Sequence, residues 1–434
     1  MIENIGDNPK ILVISHNCFS HSGSNGRTLG NFFEGYPKDK LAQFYIVNED
    51  PDWDVCERYF RITDGEIVKS ICRDKKLGHC VKVKKTNIVG NEETANRSVL
   101  TRIKSSSASL FMRELLWKEP LWNKEKLYRW IESFCPDRIL YQAGNLGYLC
   151  ELAVDISQKY DIPLLVYNSE GYYLKKYDYI KGTFSFSFWF SAYMFLFKNS
   201  FEKLMRNARG AIYISEDLKN AYRKIFDIPS YYIMTATSNV PVLKKRVEIK
   251  RISYLGNLGL GRHKSLIEIA TILQDIDKKY NIDVYGNAPE QQIIDDLKQT
   301  DGIQYHGVVS YEEVRRIINS SDINIHVEGF EPFFVEDSKY AFSTKIADLL
   351  ASGNVLLMYA PENLTSTRYI AENECGCVIN NYKDLKYKIK EILDDSKLRN
   401  YYIENAKKIV EQNHNMERNK IKFLEILINE SVTN

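Results

Sequence analysis

The sequence is short of several features that would place it at once. It has no charge excess of either sign: 59 Lys+Arg stand against 57 Asp+Glu, so nothing global argues for nucleic acid as a partner. The eight cysteines follow no disulfide-framework spacing, and no secretory leader precedes the first apolar run. Those two absences predict a reducing, cytoplasmic setting. Neither Cys375-Gly-Cys377 nor the group Cys72, His79 and Cys80 supplies four ligands at zinc spacing, so no metal is expected. The loop after the first strand lacks the order Gly-x-Gly-x-x-Gly, which argues against a dinucleotide oxidoreductase.

What the chain does have is a rhythm of short apolar runs and longer amphipathic ones. At 434 residues it is too long for one core, and two domains are the natural division. Strands are expected at Lys10–Ser15, Phe44–Val47, Pro136–Tyr141, Ile162–Tyr167, Ala211–Ser215 and Tyr231–Met234. From Asp50 to about Leu110 the pattern breaks down, and 82–107 reads as a polar, mobile insertion. The rhythm restarts with strands at Arg251–Leu255, Ile282–Tyr285, Ile303–His306, Ile323–Val327, Val355–Met358 and Cys377–Ile379. The expected class is α/β, with two Rossmann-like, doubly wound parallel-sheet domains facing a cleft. The first spans 1–238, the second 239–405, and 406–434 forms a helical tail.

Two segments of the second half carry chemistry. In Leu255-Gly256-Asn257-Leu258-Gly259-Leu260-Gly261-Arg262-His263-Lys264 a glycine-rich turn leads from strand to helix, and Arg262 and Lys264 can neutralise a diphosphate. A plain turn with solvated cations is the alternative. In Phe342-Ser343-Thr344-Lys345 small polar residues open a helix that Gly353 closes. The N–H groups of a first helical turn attract anions, Lys345 adds a full charge, and Asp348 can accept hydrogen bonds from paired sugar hydroxyls. Phosphate donors beside a hydroxyl acceptor suit a nucleotide-diphosphate sugar.

On these residues the second half resembles the donor-binding domain of GT-B glycosyltransferases, specifically retaining glycosyltransferase family 4, and most of all its bacterial surface-polysaccharide members with a Phe-Ser-Thr-Lys-Ile motif. The resemblance covers about 250–380. It implies that Gly256, Asn257, Gly259, Gly261, Phe342, Ser343, Thr344 and Asp348 bind the donor, and that Arg262, Lys264 and Lys345 stabilise the departing diphosphate. It implies retention of configuration without a metal, and no cofactor. The two family glutamates fall on Tyr340 and Asp348, so the pattern is altered where the donor sugar would be held. Two rivals follow: a catalytically silent subunit of the same fold that stabilises a partner transferase, and a sugar-nucleotide epimerase.

Acceptor-side candidates are His16 at a strand end, Gly23, Ser24 and Gly26 in the following loop, and Glu170 after an apolar strand. A structural turn, an exposed acid and a satisfied histidine are their plain alternatives. Between Lys181 and Lys198 lie sixteen residues, short of the ~20 that cross a bilayer, and eight of them are aromatic. The segment 181–198 is expected either to dock on the cytoplasmic membrane face, near a lipid-linked or oligosaccharide acceptor, or to be a core helix.

Overall fold

The computed structural model describes residues 8–20, 24–72, 77–82, 106–118, 122–239 and 248–429. Apart from its ends, the expected mobile insertion at 82–107 lies outside them. The chain divides into two compact units, residues 1–233 with 420–434, and residues 234–419. The sequence reading placed one boundary at 238/239 and set 406–434 apart; the units meet at 233/234 and again at 419/420.

The first unit is built on eight strands: β1 Ile11–Ile14, β2 Leu41–Tyr45, β3 Arg58–Arg61, β4 His79–Cys80, β5 Arg138–Ala143, β6 Leu164–Asn168, β7 Gly210–Tyr213 and β8 Ser230–Tyr232. Their spatial order is β4-β3-β2-β1-β5-β6-β7-β8. All neighbours are parallel except the β3–β4 pair. β1 is wholly buried because both sheet faces carry helices, which is why it reads as a continuous apolar run. Between Asp50 and Leu110 the structure corrects the expectation of a broken pattern: β3 and the helix Asp64–Cys72 continue it. The helix start was legible. Thr63 and Glu66 form a reciprocal cap, with the Thr63 N–H donating to Glu66 Oε2 at 2.7 Å. β3 escaped because Arg58-Tyr-Phe-Arg61 has only two apolar residues.

The second unit holds β9 Ile252–Leu255, β10 Ile282–Tyr285, β11 Ile303–Gly307, β12 Ile323–Val327, β13 Val355–Tyr359 and β14 Cys377–Ile379. They lie in the order β11-β10-β9-β12-β13-β14, with every pair parallel. Leu266, Ile269 and Leu273 from the helix Arg262–Ile276, and Leu385, Ile389 and Ile392 from Tyr382–Asp394, close the core over Tyr254, Val284, Ile325 and Leu357. Strand order reverses between β1 and β5 in one sheet and between β9 and β12 in the other. Such reversals open a crevice at the carboxyl ends of the strands, where doubly wound folds bind ligands.

Candidate functional site

At the second unit's reversal, β9 runs into the glycine turn and the helix Arg262–Ile276. The turn is held by its own polar atoms: Asn257 Oδ1 accepts from the Gly259 N–H at 2.7 Å, and the Tyr254 hydroxyl donates to the Asn257 carbonyl at 2.7 Å. Gly261 sits at φ 75°, and a Cβ there would meet Glu331 Oε2 at 2.6 Å and Phe334 at 2.8 Å. Conformation and packing both demand glycine at this position. The helix then opens with no side-chain cap, its N-terminal end toward the carboxyl edge of the sheet.

Arg262 does not stand alone there. Its Nε and Nη2 donate to Glu328 Oε2 at 2.9 and 2.8 Å, just past the end of β12. Glu328 Oε1 lies 3.4 Å from His326 Nε2. The Glu328 side chain is 8% exposed and that of Arg262 19%. Burial alone would favour the protonated acid, but the His326 contact and the Arg262 charge outweigh it and hold the Glu328 carboxyl below its usual range. The pair is therefore ionic and oriented. Arg262 keeps Nη1 for a further acceptor, since its guanidinium has five N–H donors. Lys264 Nζ donates to Glu331 Oε1 at 2.6 Å, but both side chains are substantially exposed and the pair is weak. An incoming anion displaces it at little cost. Sequence reasoning named both cations and missed Glu328, Glu331 and His326, although their place at the carboxyl end of β12, or just past it, at the reversal was a usable signal.

The Phe342 turn lies in the crossover from β12 to β13. That crossover returns antiparallel to the strands, which brings the start of the helix Lys345–Ala351 to the same carboxyl edge. Phe342 itself is not positioned to meet a ligand with its ring. It is buried, edge-on to Tyr369 at 5.3 Å and stacked on His414 at 6.1 Å. Burial lowers the His414 pKa to about 4. The neutral ring pairs with the Thr235 carbonyl at 2.6 Å through Nδ1 and with the Tyr369 hydroxyl at 2.9 Å through Nε2. Phe342 thus anchors the turn that carries Ser343, Thr344 and Lys345. Ser343 supports the helix start, its carbonyl accepting from the Ile346 N–H at 3.1 Å and its Oγ from the Lys345 N–H at 3.4 Å. Asp348 Oδ1 accepts from Thr237 Oγ1 at 2.6 Å and Asn239 Nδ2 at 3.3 Å, so part of its accepting capacity is already committed.

In the first unit, His16 follows β1 with Nδ1 3.1 Å from Asn17 Oδ1. Burial, reinforced by Arg113, lowers its pKa. Gly23 lies outside the described residues, and Ser24 opens the helix Ser24–Phe32. Gly26 has a packing reason: a Cβ there would come within 2.2 Å of the Cys18 carbonyl oxygen. Glu170 is half-buried two residues beyond β6. At this unit's own reversal the start of the helix Gly147–Tyr160 already has a carboxyl partner. Glu114 accepts from the Gly147 and Tyr148 N–H groups at 2.7 and 2.9 Å, and burial pushes its pKa up to about 7. Arg113 donates from Nε to Asp64 at 2.9 Å. Sequence reasoning singled out neither Glu114 nor Arg113.

The family model for glycosyl transferase-like proteins matches residues 262–425. No curated protein matches the chain in sequence. Among solved structures, Anabaena Alr3699/HepE in complex with UDP is similar at 12% identity and TM-score 0.62, covering 96% of this chain and 99% of that one. Sucrose-phosphate synthase from Thermosynechococcus elongatus is similar at 11% identity and TM-score 0.62, covering 96% and 97%. WaaG, a glycosyltransferase involved in lipopolysaccharide biosynthesis, is similar at 10% identity and TM-score 0.56, covering 96% and 99%. The chain has the GT-B fold. Among the described residues, no helix is long and apolar enough to cross a membrane.

Proposed function

We propose that this chain is a retaining, metal-independent glycosyltransferase that moves a sugar from a nucleotide-diphosphate donor to a glycan in polysaccharide assembly. The acceptor in this reading is lipid-linked or an oligosaccharide, presented at the cytoplasmic face of a membrane toward 181–198. One observation carries the reading. Arg262 is held by a buried carboxylate at an uncapped helix start, on the strand reversal of a segment that matches glycosyl transferase-like proteins. The UDP complex of the similar Anabaena protein and the UDP-sugar complex of a similar Escherichia coli protein support the donor class.

The reaction breaks the bond from the anomeric carbon to the donor's diphosphate and forms one from the acceptor oxygen to that carbon, on the same face. The acceptor's proton passes to the leaving phosphate oxygen, so no protein base is needed. What remains for the chain is electrostatic. Arg262, with Lys264 released from Glu331, meets the charge growing on the diphosphate, and Lys345 with the turn at Ser343 and Thr344 adds to it. Asp348 accepts from ribose hydroxyls in this reading. Glu170 and His16 are the acceptor-side candidates.

A second reading, a silent subunit of the same fold, draws on Tyr340 in place of a carboxylate and on the hydrogen bonds that already occupy Asp348. A thermal-shift screen against UDP, GDP, TDP, CMP and their sugar conjugates, followed by an assay for nucleotide release, separates the two. A rise in melting temperature with one diphosphate family, plus acceptor-dependent release, is the expected result. A shift without release assigns the silent role. No shift at millimolar ligand overturns the donor site.

A further inference from the structure

The segment 181–198 belongs to two environments at once. The helix Phe188–Asn207 buries Phe190, Tyr193, Met194, Phe197 and Phe201 against the first unit, so one face is core. Its other face, with the loop before it, is open: Phe186 is 82% exposed, Phe195 67%, Phe188 64%, Phe184 58% and Trp189 45%. The open surface continues onto the helix Ser107–Leu116. Phe111 there meets the Trp189 ring at 5.6 Å, and Met112 is 50% exposed. Large apolar side chains grouped on a surface mark a binding face.

The charge along this segment is almost all of one sign. Between Glu170 and Glu202 the sequence has a single acid, Asp178. Asp178 is buried, its carboxylate accepting from Ser107 Oγ at 2.8 Å and from the Ile180 and Lys181 N–H groups at 3.2 and 3.1 Å. It therefore pins the loop that carries Phe184 and Phe186 and offers nothing acidic to solvent. Lys176 and Lys181 are exposed, and Lys175 and Lys198 half-exposed.

We propose that this face is an interfacial docking surface for an anionic lipid bilayer, with Phe184, Phe186, Phe188, Trp189 and Phe195 entering the headgroup region and the lysines above it meeting lipid phosphates. Aromatic rings favour the membrane interface, and a cationic rim favours anionic lipid. A second copy of the chain fits less well, because pairing like faces sets lysines against lysines. The inference rests on the proposed transfer only in bringing the enzyme to a membrane-borne acceptor; binding is measurable without turnover.

The test is co-sedimentation of the full chain with vesicles of phosphatidylcholine alone or mixed with phosphatidylglycerol, alongside Trp189 emission. Binding to the mixed vesicles, weakening as salt rises and shifting emission to the blue, is expected. Phe186→Ser/Phe188→Ser/Phe195→Ser should abolish binding. Lys176→Gln/Lys181→Gln should lower it roughly 25-fold, at about fivefold per lysine. Both variants should keep the wild-type nucleotide-induced thermal shift, which shows that they are folded. Wild-type protein left in the supernatant with both vesicles overturns the proposal. A dimer in light scattering that the phenylalanine variant dissolves assigns the face to a second copy instead. Vesicle binding without any nucleotide-induced shift leaves the docking surface standing and removes the proposed transfer.

Discussion

At the residue scale the informative finding is that Arg262, the proposed diphosphate ligand, is already half of an ion pair with the buried Glu328. Removing one partner of such a pair leaves an uncompensated charge, which costs about 3 kcal/mol or more. Glu328→Gln should therefore lower stability by that order in the absence of ligand, while a bound diphosphate returns a counter-charge to Arg262. The expected outcome is a larger nucleotide-induced rise in melting temperature in Glu328→Gln than in the wild type. Equal rises would mean that Arg262 does not meet the ligand. Lys345→Ala removes a full positive charge from the proposed donor site and should cut transfer on the order of 10²-fold, the usual loss for a missing oxyanion donor. Wild-type turnover would take Lys345 out of the site. Asp348→Asn keeps the side chain's size and should weaken nucleotide binding, read by calorimetry; unchanged affinity would leave Asp348 a structural role, bonding Thr237 and Asn239.

At the scale of elements, the helix Gly147–Tyr160 is capped from another helix by Glu114, and that contact has a pH signature. Burial raises the folded-state pKa from 4.5 to about 7. As pH rises the unfolded chain loses this proton first, so stability falls between those values. The contribution is complete below pH 4.5 and lost above about 7, and amounts to roughly 3 kcal/mol at 1.36 kcal/mol per unit. In urea titrations, Glu114→Gln should be less stable than wild type at pH 5 and should lose less stability on going to pH 8. An unchanged slope would place the titration elsewhere. This contact also shows why part of the fold was not legible in the sequence. Runs such as Ile11–Ile14 and Val355–Tyr359 announce buried strands because both faces are covered, and the helix start at Lys345 announces itself by its small polar residues. Glu114 lies far in sequence from Gly147, and Glu328 from Arg262. Pairings of that kind depend on which strands the fold sets side by side, and no local pattern encodes them.

For the whole molecule, the telling feature is that the chain ends in the unit where it began. Residues 420–434 belong with 1–233, although 186 intervening residues, 234–419, form the other unit. The reason is visible in the last helix, Met416–Asn429. Phe423, Leu424 and Leu427 are fully buried in the first unit's core, and the Phe423 ring stacks on Phe32 at 4.4 Å and meets Phe33 edge-on at 5.6 Å. A polar helical tail, as the sequence alone suggested, would tolerate change there. A core helix does not: Phe423→Ala should cost about 3–5 kcal/mol through lost burial and the cavity left behind. Because Phe423 contacts only first-unit residues among its ring partners, the loss should be local. Hydrogen exchange of the variant should show faster opening across β1, β2 and β6 and wild-type protection across β9, β12 and β13. Uniform loss across both sheets would mean that the two units unfold as one, and that the returning helix stabilises the whole chain as well as the sheet it covers.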